Sequence, residues 1–466
     1  MARLFADITP LRQSPEFRRL WWGQGLASVG MMLTQMAVAL QVYDLTQSTL
    51  MVGLVGGFSL VPVIVLGLYG GALADTYDRR RVALIASLVM WSATIGIALQ
   101  AWLDLRQVAL MYALVAIQAG ANSVNGPARS AIIPRLVGLD HLPAALALNS
   151  LTFTFATLAG PMLGASLIAF IGYGPTYLID VVTYTFSLYA VFRLPAMPPQ
   201  RDGDAAVAGV AASSAGAGSS GSAGSSGEGE GAGASGDQPV GGWRSVVTGF
   251  AFLRTRRNLL MSFLTDMCAM ILAWPRAAFA AAAVLIIGGP ASSSDPKAWT
   301  VGILNTALAV GTTLASVLSG PLTRVRRQGR LVAVAVGAWG FGVATLGLVW
   351  VVAGRTSPDH IVWWALIASA VALAFAGAAD SVSAIMRSTI LQTATPDALR
   401  GRLQGVFIVV VTGGPRLGEL VNGIGSRLHG EGWAVLIGGL ACIAAVFLLT
   451  RWHKPFLAYD ARHPEA

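Results

Sequence analysis

Residues 71 to 81 read Gly-Ala-Leu-Ala-Asp-Thr-Tyr-Asp-Arg-Arg-Arg and lie between two long apolar segments. The rest of the chain carries little charge, since Asp, Glu, Lys and Arg make up only 11% of its 466 residues. Consecutive arginines are costly to place within a bilayer and accumulate in cytoplasmic loops. The stretch therefore predicts a short cytoplasmic loop that joins two membrane helices.

The composition of the whole chain predicts an all-α membrane protein. Hydrophobic residues make up 55% of it, and a helix of about 20 apolar residues crosses a hydrocarbon core of about 30 Å. About twelve segments meet this requirement: 18–43, 49–74, 82–103, 107–128, 144–171, 174–194, 258–288, 299–322, 331–353, 361–387, 403–427 and 432–450.

The distribution of basic residues predicts the orientation. All but six of the 31 lysines and arginines fall in predicted inner loops or at inner helix ends, which places both termini in the cytoplasm. The six others are Arg106, Arg276, Lys297, Arg355, Arg416 and Arg427. An anionic membrane surface accounts for the net charge of +9. We therefore expect lipid, and no nucleic acid, as the partner of this charge.

A change of composition divides the chain in two. Residues 195–245 are mainly Gly, Ser and Ala, which cannot bury enough apolar surface to fold. We expect a six-helix half at 1–194, a disordered cytoplasmic linker at 195–245 and a second six-helix half at 246–466.

An internal repeat relates helices four and five to helices ten and eleven. Three pairs match: Asn122 with Asp380, Arg129-Ser130 with Arg387-Ser388, and Gly160-Pro161 with Gly414-Pro415. Parallel repeats of this kind predict two halves related by a pseudo-twofold axis along the membrane normal.

The loop at 71–81 resembles the signature loop of the major facilitator superfamily. The residues in register with that signature are Gly71, Leu73, Asp75, Arg79 and Arg80. Thr76 and Asp78 depart from it, because a basic residue and a glycine are usual there. The resemblance implies twelve transmembrane helices, alternating access and a gating role for Asp75 and Arg79.

Two other segments resemble a narrower group of that superfamily. Gly160, Pro161 and Gly164 are similar to the helix-five motif of drug:proton antiporters, although a packing kink is the simpler explanation of Pro161. Residues 391–405 resemble the segment that joins helices ten and eleven in the siderophore exporters of the third drug:proton antiporter family. The arginine motif that many drug antiporters carry in helix four is missing.

Charged residues within predicted helices are the candidate proton and substrate sites, because each is costly there without a cavity or a partner. They are Asp266, Arg276, Asp380, Arg416 and Glu419. Asp266 faces a cavity or pairs with another helix, and Arg416 and Glu419 are spaced for an intrahelical salt bridge. Arg129 and Arg387 fit snorkelling at the cytoplasmic surface, and Asp180 in helix six is a weaker candidate.

These features predict a secondary active efflux transporter, coupled to the proton gradient, in a bacterial plasma membrane. We expect a monomer that exports a siderophore-like or amphipathic small molecule. A broad multidrug pump is the main alternative, and a transport-inactive sensor or scaffold is a minor one. The sequence has no metal-ligand, nucleotide-binding or catalytic motif, so we expect no enzyme activity and no cofactor.

Overall fold

The computed structural model describes residues 7–195, 197, 255–289, 296–320, 322, 325–394 and 397–460. Within these ranges, the side chains of residues 68–76, 139–140, 296, 392 and 397–410 are not described. The predicted linker lies almost wholly outside the described residues. So do the side chains of Gly71, Leu73 and Asp75, and their predicted gating role stays a prediction.

The described residues form twelve long helices. In chain order they are α1 Pro15–Thr46, α2 Thr49–Thr76, α3 Arg79–Trp102, α4 Val108–Gly138, α5 His141–Ile171, α6 Tyr173–Phe192, α7 Arg257–Ile287, α8 Pro296–Val317, α9 Gln328–Ala353, α10 Trp363–Ala394, α11 Asp397–His429 and α12 Glu431–Trp452. Short helices at Thr9–Gln13 and Pro455–Ala458 flank them.

The all-helical membrane fold is confirmed, and ten of these helices are long and apolar enough to cross a bilayer. The other two are α6 and α11, in which polar residues such as Asp180 and Glu419 lower the mean hydropathy. Several helices extend beyond their predicted ends. For example, α4 ends at Gly138, ten residues after the predicted end at residue 128. Apolar runs mark only the part of a helix that lies in hydrocarbon, whereas the backbone hydrogen bonds continue past it.

Helix α7 is broken next to Pro275. An α-helix runs from Arg257 to Leu272, and a 3₁₀ turn begins at Arg276. Proline lacks the N–H that would continue the hydrogen-bond ladder. The break places Arg276 at the start of a new turn in the middle of the membrane span.

Aromatic side chains mark the two ends of the helices. Trp102, Trp363, Trp433 and Trp452 are each more than half exposed and lie at helix ends. Tryptophan is enriched at the boundary between hydrocarbon and water, where its N–H stays hydrated. These tryptophans mark the two boundaries of the surface that faces lipid.

The helices form two groups, α1–α6 and α7–α12, which meet along two helix pairs. Helix α2 packs on α11, and α5 packs on α8. A pseudo-twofold axis that relates α5 to α11 also relates α2 to α8, so the two contacts are equivalent. Small residues line both, because they let helix backbones approach closely in a membrane.

We expect Gly53→Ala to weaken the contact between α2 and α11. A methyl group at Gly53 would collide with the backbone carbonyl of Glu419, and overpacking costs about 1–3 kcal/mol. Each 1.4 kcal/mol changes an equilibrium about tenfold, so the population with these helices apart should rise about tenfold. The measurement is labelling of a cysteine at Gln35, which lines the central cavity, by an impermeant maleimide in a variant without Cys268 and Cys442.

Gly57→Ala is the matched control on the same helix. A methyl group there meets only Leu420, at 3.6 Å, which is an ordinary van der Waals distance. Equal labelling in the two alanine variants would contradict the prediction.

Candidate functional site

A central cavity lies between the two groups of helices. Its volume is about 130 Å³, and α1, α2, α3, α4, α5, α7, α8 and α11 contribute to its walls. Of the sequence-predicted site residues, the cavity brings together Arg276, Arg416, Glu419 and Pro161.

Arg276 is held in the cavity wall by Asn305 of α8. The Nε of Arg276 donates to Oδ1 of Asn305 over 2.8 Å. Asn305 in turn donates from Nδ2 to the carbonyl of Val301, one turn earlier on its own helix. The asparagine therefore fixes the guanidinium plane and leaves its remaining N–H donors for other partners. The sequence analysis missed Asn305, although an amide within the apolar run of helix eight was a usable signal.

Arg416 and Glu419 form the predicted intrahelical salt bridge on α11. Their Nη1 and Oε2 atoms are 3.4 Å apart, and both side chains are mostly buried. One acid therefore faces two arginines in the same cavity, and the local charge is positive. An anionic group on a ligand would balance that charge at low dielectric.

Methionines line the opposite wall of the central cavity. Met31, Met32 and Met36 come from α1, and Met90 comes from α3. Methionine is unbranched and polarisable, so such a wall adapts to apolar ligands of different shape. The cavity thus combines a cationic wall with an adaptable apolar one.

A second cavity, of about 350 Å³, adjoins the first and is lined by α5, α7, α8, α9 and α10. Arg276 and Asn305 line both cavities, and Asp380 lines the second. The Asp380 side chain is 28% exposed. The two cavities therefore place Arg276 between the central site and a partly accessible acid.

Asp266 lies in a buried ion pair with Arg387 of α10. Its Oδ1 contacts Nη1 of Arg387, and both residues are at most 5% exposed. The other guanidinium nitrogen, Nη2, is 3.7 Å from Oδ1 of Asp380. Of the two alternatives for Asp266, the structure has the pair with another helix, because burial of the carboxylate requires a nearby cation.

The snorkelling prediction for Arg129 and Arg387 is wrong. Arg129 is 6% exposed and donates to Asn125 and to the hydroxyls of Ser87 and Ser187. The repeat therefore places one buried arginine in each group of helices. Arg129 in α1–α6 has neutral polar partners, whereas Arg387 in α7–α12 has acidic partners. The sequence did not show the partners, since they come from distant helices.

The loop arginines tie α3 to its neighbours. Asp78 caps α3 by accepting from the N–H groups of Arg80 and Arg81, a role that explains an acid where the signature has glycine. Arg79 donates to the carbonyl of Ala131, and Arg80 donates to that of Phe192.

The helix-five motif lies where α5 meets α1 and α8. A methyl group at Gly160 would approach Met32 to 2.5 Å, and one at Gly164 would approach Leu33 to 3.3 Å. The carbonyl of Pro161 faces Gly302 of α8. The motif thus occupies one of the two contacts between the groups.

Polar contacts join the two groups at the face where α1 ends. Lys297 of α8 pairs with Asp44 of α1 at 2.5 Å, and Tyr173 donates to the same carboxylate. Thr49 of α2 donates to Glu431 of α12 over 3.0 Å. The sequence analysis missed this set, because its members are far apart in the chain. The contacts of Lys297 with Asp44 and of Thr49 with Glu431 therefore join the two groups of helices at this end of the bundle.

We expect Lys297→Gln to raise outer accessibility of the cavity about two- to fivefold. The pair is about one-quarter exposed, and an ion pair of this exposure is worth up to about 1 kcal/mol. Maleimide labelling of the Gln35→Cys variant checks the effect. The exchanged pair Asp44→Lys with Lys297→Asp should restore low labelling, and unchanged labelling in Lys297→Gln would contradict the prediction.

The comparisons with known proteins agree with this architecture. Residues 5–214 match the family model described as transmembrane secretion effector. The nucleoside transporter NupG has a TM-score of 0.66 at 14% identity, over 96% of this chain and 100% of that one. A bacterial homologue of the iron transporter ferroportin, in an inward-facing state, has a TM-score of 0.62 at 12% identity, over 94% and 98%. The chain has the major facilitator fold.

A curated relative covers nearly the whole chain. The enterobactin exporter EntS of Shigella boydii serotype 18 is 26% identical in an alignment of 459 residues that covers 96% of each chain. The predicted resemblance to the superfamily and to this exporter group is confirmed. These findings indicate a multi-pass membrane protein that is similar to transporters along nearly its whole length.

Proposed function

We propose that this major facilitator is a proton-coupled antiporter that exports an anionic, siderophore-like small molecule. The observation that carries the proposal is the pair of arginines, Arg276 and Arg416, in a cavity between the two groups of helices. The similarity to enterobactin exporters along 96% of the chain supports the substrate class. Enterobactin is a catecholate, and its oxygens match guanidinium donors.

Alternating access requires the two groups to part first on one side and then on the other. The contacts of Asp44 with Lys297 and of Thr49 with Glu431 close one side, and rocking about α2–α11 and α5–α8 would open it. The gate residues Gly71, Leu73, Asp75, Arg79 and Arg80 would act at the opposite side. In the proposed topology this opposite side is cytoplasmic, and both termini lie there. The linker 195–245 joins the two halves, 1–194 and 246–466, on the same side.

Asp380 is the proposed proton-exchange group of the second half. It is partly exposed in the second cavity and lies 3.7 Å from Arg387. A nearby arginine favours the carboxylate, and removal from water favours the acid. Movement of the two groups would change the balance between these effects, so the carboxyl could take up a proton on one side and release it on the other.

The first experiment tests the substrate in cells. The chain is expressed in Escherichia coli that lacks its own enterobactin exporter, the cells are starved of iron, and enterobactin in medium and cells is measured by mass spectrometry. We expect export to be restored. Retention of enterobactin inside cells that have the full-length protein in the membrane would contradict the substrate proposal and favour multidrug efflux.

The second candidate is multidrug efflux. The methionine wall of the central cavity favours it, because that surface fits apolar drugs of different shape. Uptake of ethidium into everted vesicles with an acidified lumen tests it. Proton movement on addition of enterobactin or ethidium reports antiport in either case.

A further inference from the structure

Asp180 lies in the middle of α6. Its side chain is 1% exposed. Thr34 of α1 donates to its Oδ2 over 2.6 Å, and its Oδ1 has no hydrogen-bond partner. No basic side chain in the described part of the chain pairs with it. The interior thus holds a carboxyl group with one hydroxyl as its visible polar partner.

The packing of α1 against α6 makes room for this carboxyl. A methyl group at Gly30 of α1 would collide with Oδ1 of Asp180 and with the hydroxyl of Thr183. Glycine at that position leaves the space that the acid occupies. The carboxyl is therefore enclosed between the two helices rather than directed at lipid.

The charged and titratable groups around Asp180 do not neutralise it. On α6 itself, Tyr177 donates to Gln41, and the hydroxyl of Tyr184 contacts Met90 and Asn125. On α4, Arg129 is bonded to Asn125, Ser87 and Ser187. The apolar parts of α1, α3 and α5, at residues 20–43, 82–102 and 142–171, carry no charged residue. An isolated buried carboxylate is costly by several kcal/mol, and a bound proton removes that cost.

Thr34 connects Asp180 to the central cavity. It is one of the residues that line the cavity and it donates directly to the carboxyl. A hydroxyl both donates and accepts hydrogen bonds. A proton from the cavity can bind the Thr34 oxygen while the threonine's own proton passes to Oδ2 of Asp180, which restores the hydroxyl and neutralises the acid.

We propose that Asp180 is a proton-binding site of the first half, which Thr34 links to the substrate cavity. The proposal deepens the proposed antiport and rests on it for the use of the proton. It gives α1–α6 an acid that is separate from Asp380 and from the Asp266–Arg387 pair. Asp180 and Asp380 would place one exchangeable proton in each group of helices.

The test has one arm without substrate. Infrared difference spectra of the purified full chain in lipid vesicles are recorded against pH for the wild type and Asp180→Asn. We expect a carboxylic-acid C=O band in the wild type that disappears at alkaline pH and is missing from the variant. Identical wild-type and Asp180→Asn spectra at every pH would overturn the proposal, whatever the chain transports.

The second arm measures coupling in vesicles with a trapped pH indicator and enterobactin as the probe. Asp180→Asn should reduce proton movement per enterobactin at least about twofold while exchange of enterobactin across the membrane continues. If the wild type does not move enterobactin, the proposed function fails and the infrared arm alone decides the proton site. Unchanged stoichiometry in Asp180→Asn would overturn the coupling role.

Thr34→Val keeps the shape of the threonine side chain and removes the hydroxyl that contacts Asp180. This variant provides a second test of the proposal if Asp180→Asn does not fold. We expect slower hydrogen–deuterium exchange at the Asp180 carboxyl in this variant. Thr176→Val is the matched control, since Thr176 is buried one turn before Asp180 and its hydroxyl donates to the carbonyl of Gly172. Equal exchange rates in the two variants would overturn the relay.

Discussion

Replacing Asp266 by leucine is expected to remove most of the folded protein from the membrane. Arg387 would stay buried, with only the more distant Asp380 as a counter-charge. Loss of one partner of a buried ion pair costs about 3–5 kcal/mol. An arginine cannot shed its proton to escape this cost, so the leucine variant should show lower expression and a lower unfolding temperature in detergent.

The reverse change should cost less. Arg387→Leu leaves Asp266 without its cation, but a carboxylate can bind a proton and become neutral. The double variant Asp266→Leu with Arg387→Leu removes both charges and should be more stable than Asp266→Leu alone. A double variant no more stable than Asp266→Leu would contradict the ion-pair argument.

An exposed ion pair of the same chain provides the control. Asp104 pairs with Arg106 at 3.0 Å, with both side chains about 70% exposed. Exposed pairs contribute about 0–1 kcal/mol. Asp104→Leu should therefore leave the unfolding temperature nearly unchanged, which separates burial of the pair from loss of an acid.

Arg276→Ala is expected to reduce enterobactin transport by roughly 10- to 150-fold. The substitution removes a charge-assisted contact to the substrate, worth about 1.5–3 kcal/mol. Arg276→Lys keeps the charge but loses the planar group that Asn305 orients, so we expect an intermediate rate. Uptake of enterobactin into everted vesicles measures all three proteins.

Selectivity distinguishes a binding role of Arg276 from a structural one. If the arginine pairs with an anionic substrate, Arg276→Ala should leave efflux of cationic ethidium unchanged or raise it. Equal loss of enterobactin and ethidium transport in Arg276→Ala would contradict the proposal that Arg276 binds the substrate through its opposite charge. Arg427→Ala removes an exposed arginine at the end of α11 and should change neither rate.

Much of the fold followed from local chemistry. Long apolar runs predict helices, and the arginines at 79–81 mark one end of a span. Pro275 predicts the break in α7, and the repeat of Arg129 and Arg387 predicts two related halves. Each conclusion depends on the order of residues along the chain, so no contact between distant residues had to be known.

The candidate site could be predicted only in part. The sequence singled out the charged residues within helices, since each is costly in hydrocarbon. It left the partner of Asp266 open, and it placed Arg387 at the membrane surface, whereas the structure pairs these two inside the second group of helices. It also gave no sign that Asn305 orients Arg276 or that Thr34 contacts Asp180.

The sequence by itself determined the class of protein, the approximate spans and the set of costly charged residues. Only the tertiary structure decided which of them neutralise each other, which line a cavity, and which contacts join the two groups of helices. The physical reason is that membrane helices are specified by the hydropathy of consecutive residues. Ion pairs and cavities instead depend on how helices distant in sequence are rotated and packed, as for Asp266 with Arg387 and Asp44 with Lys297.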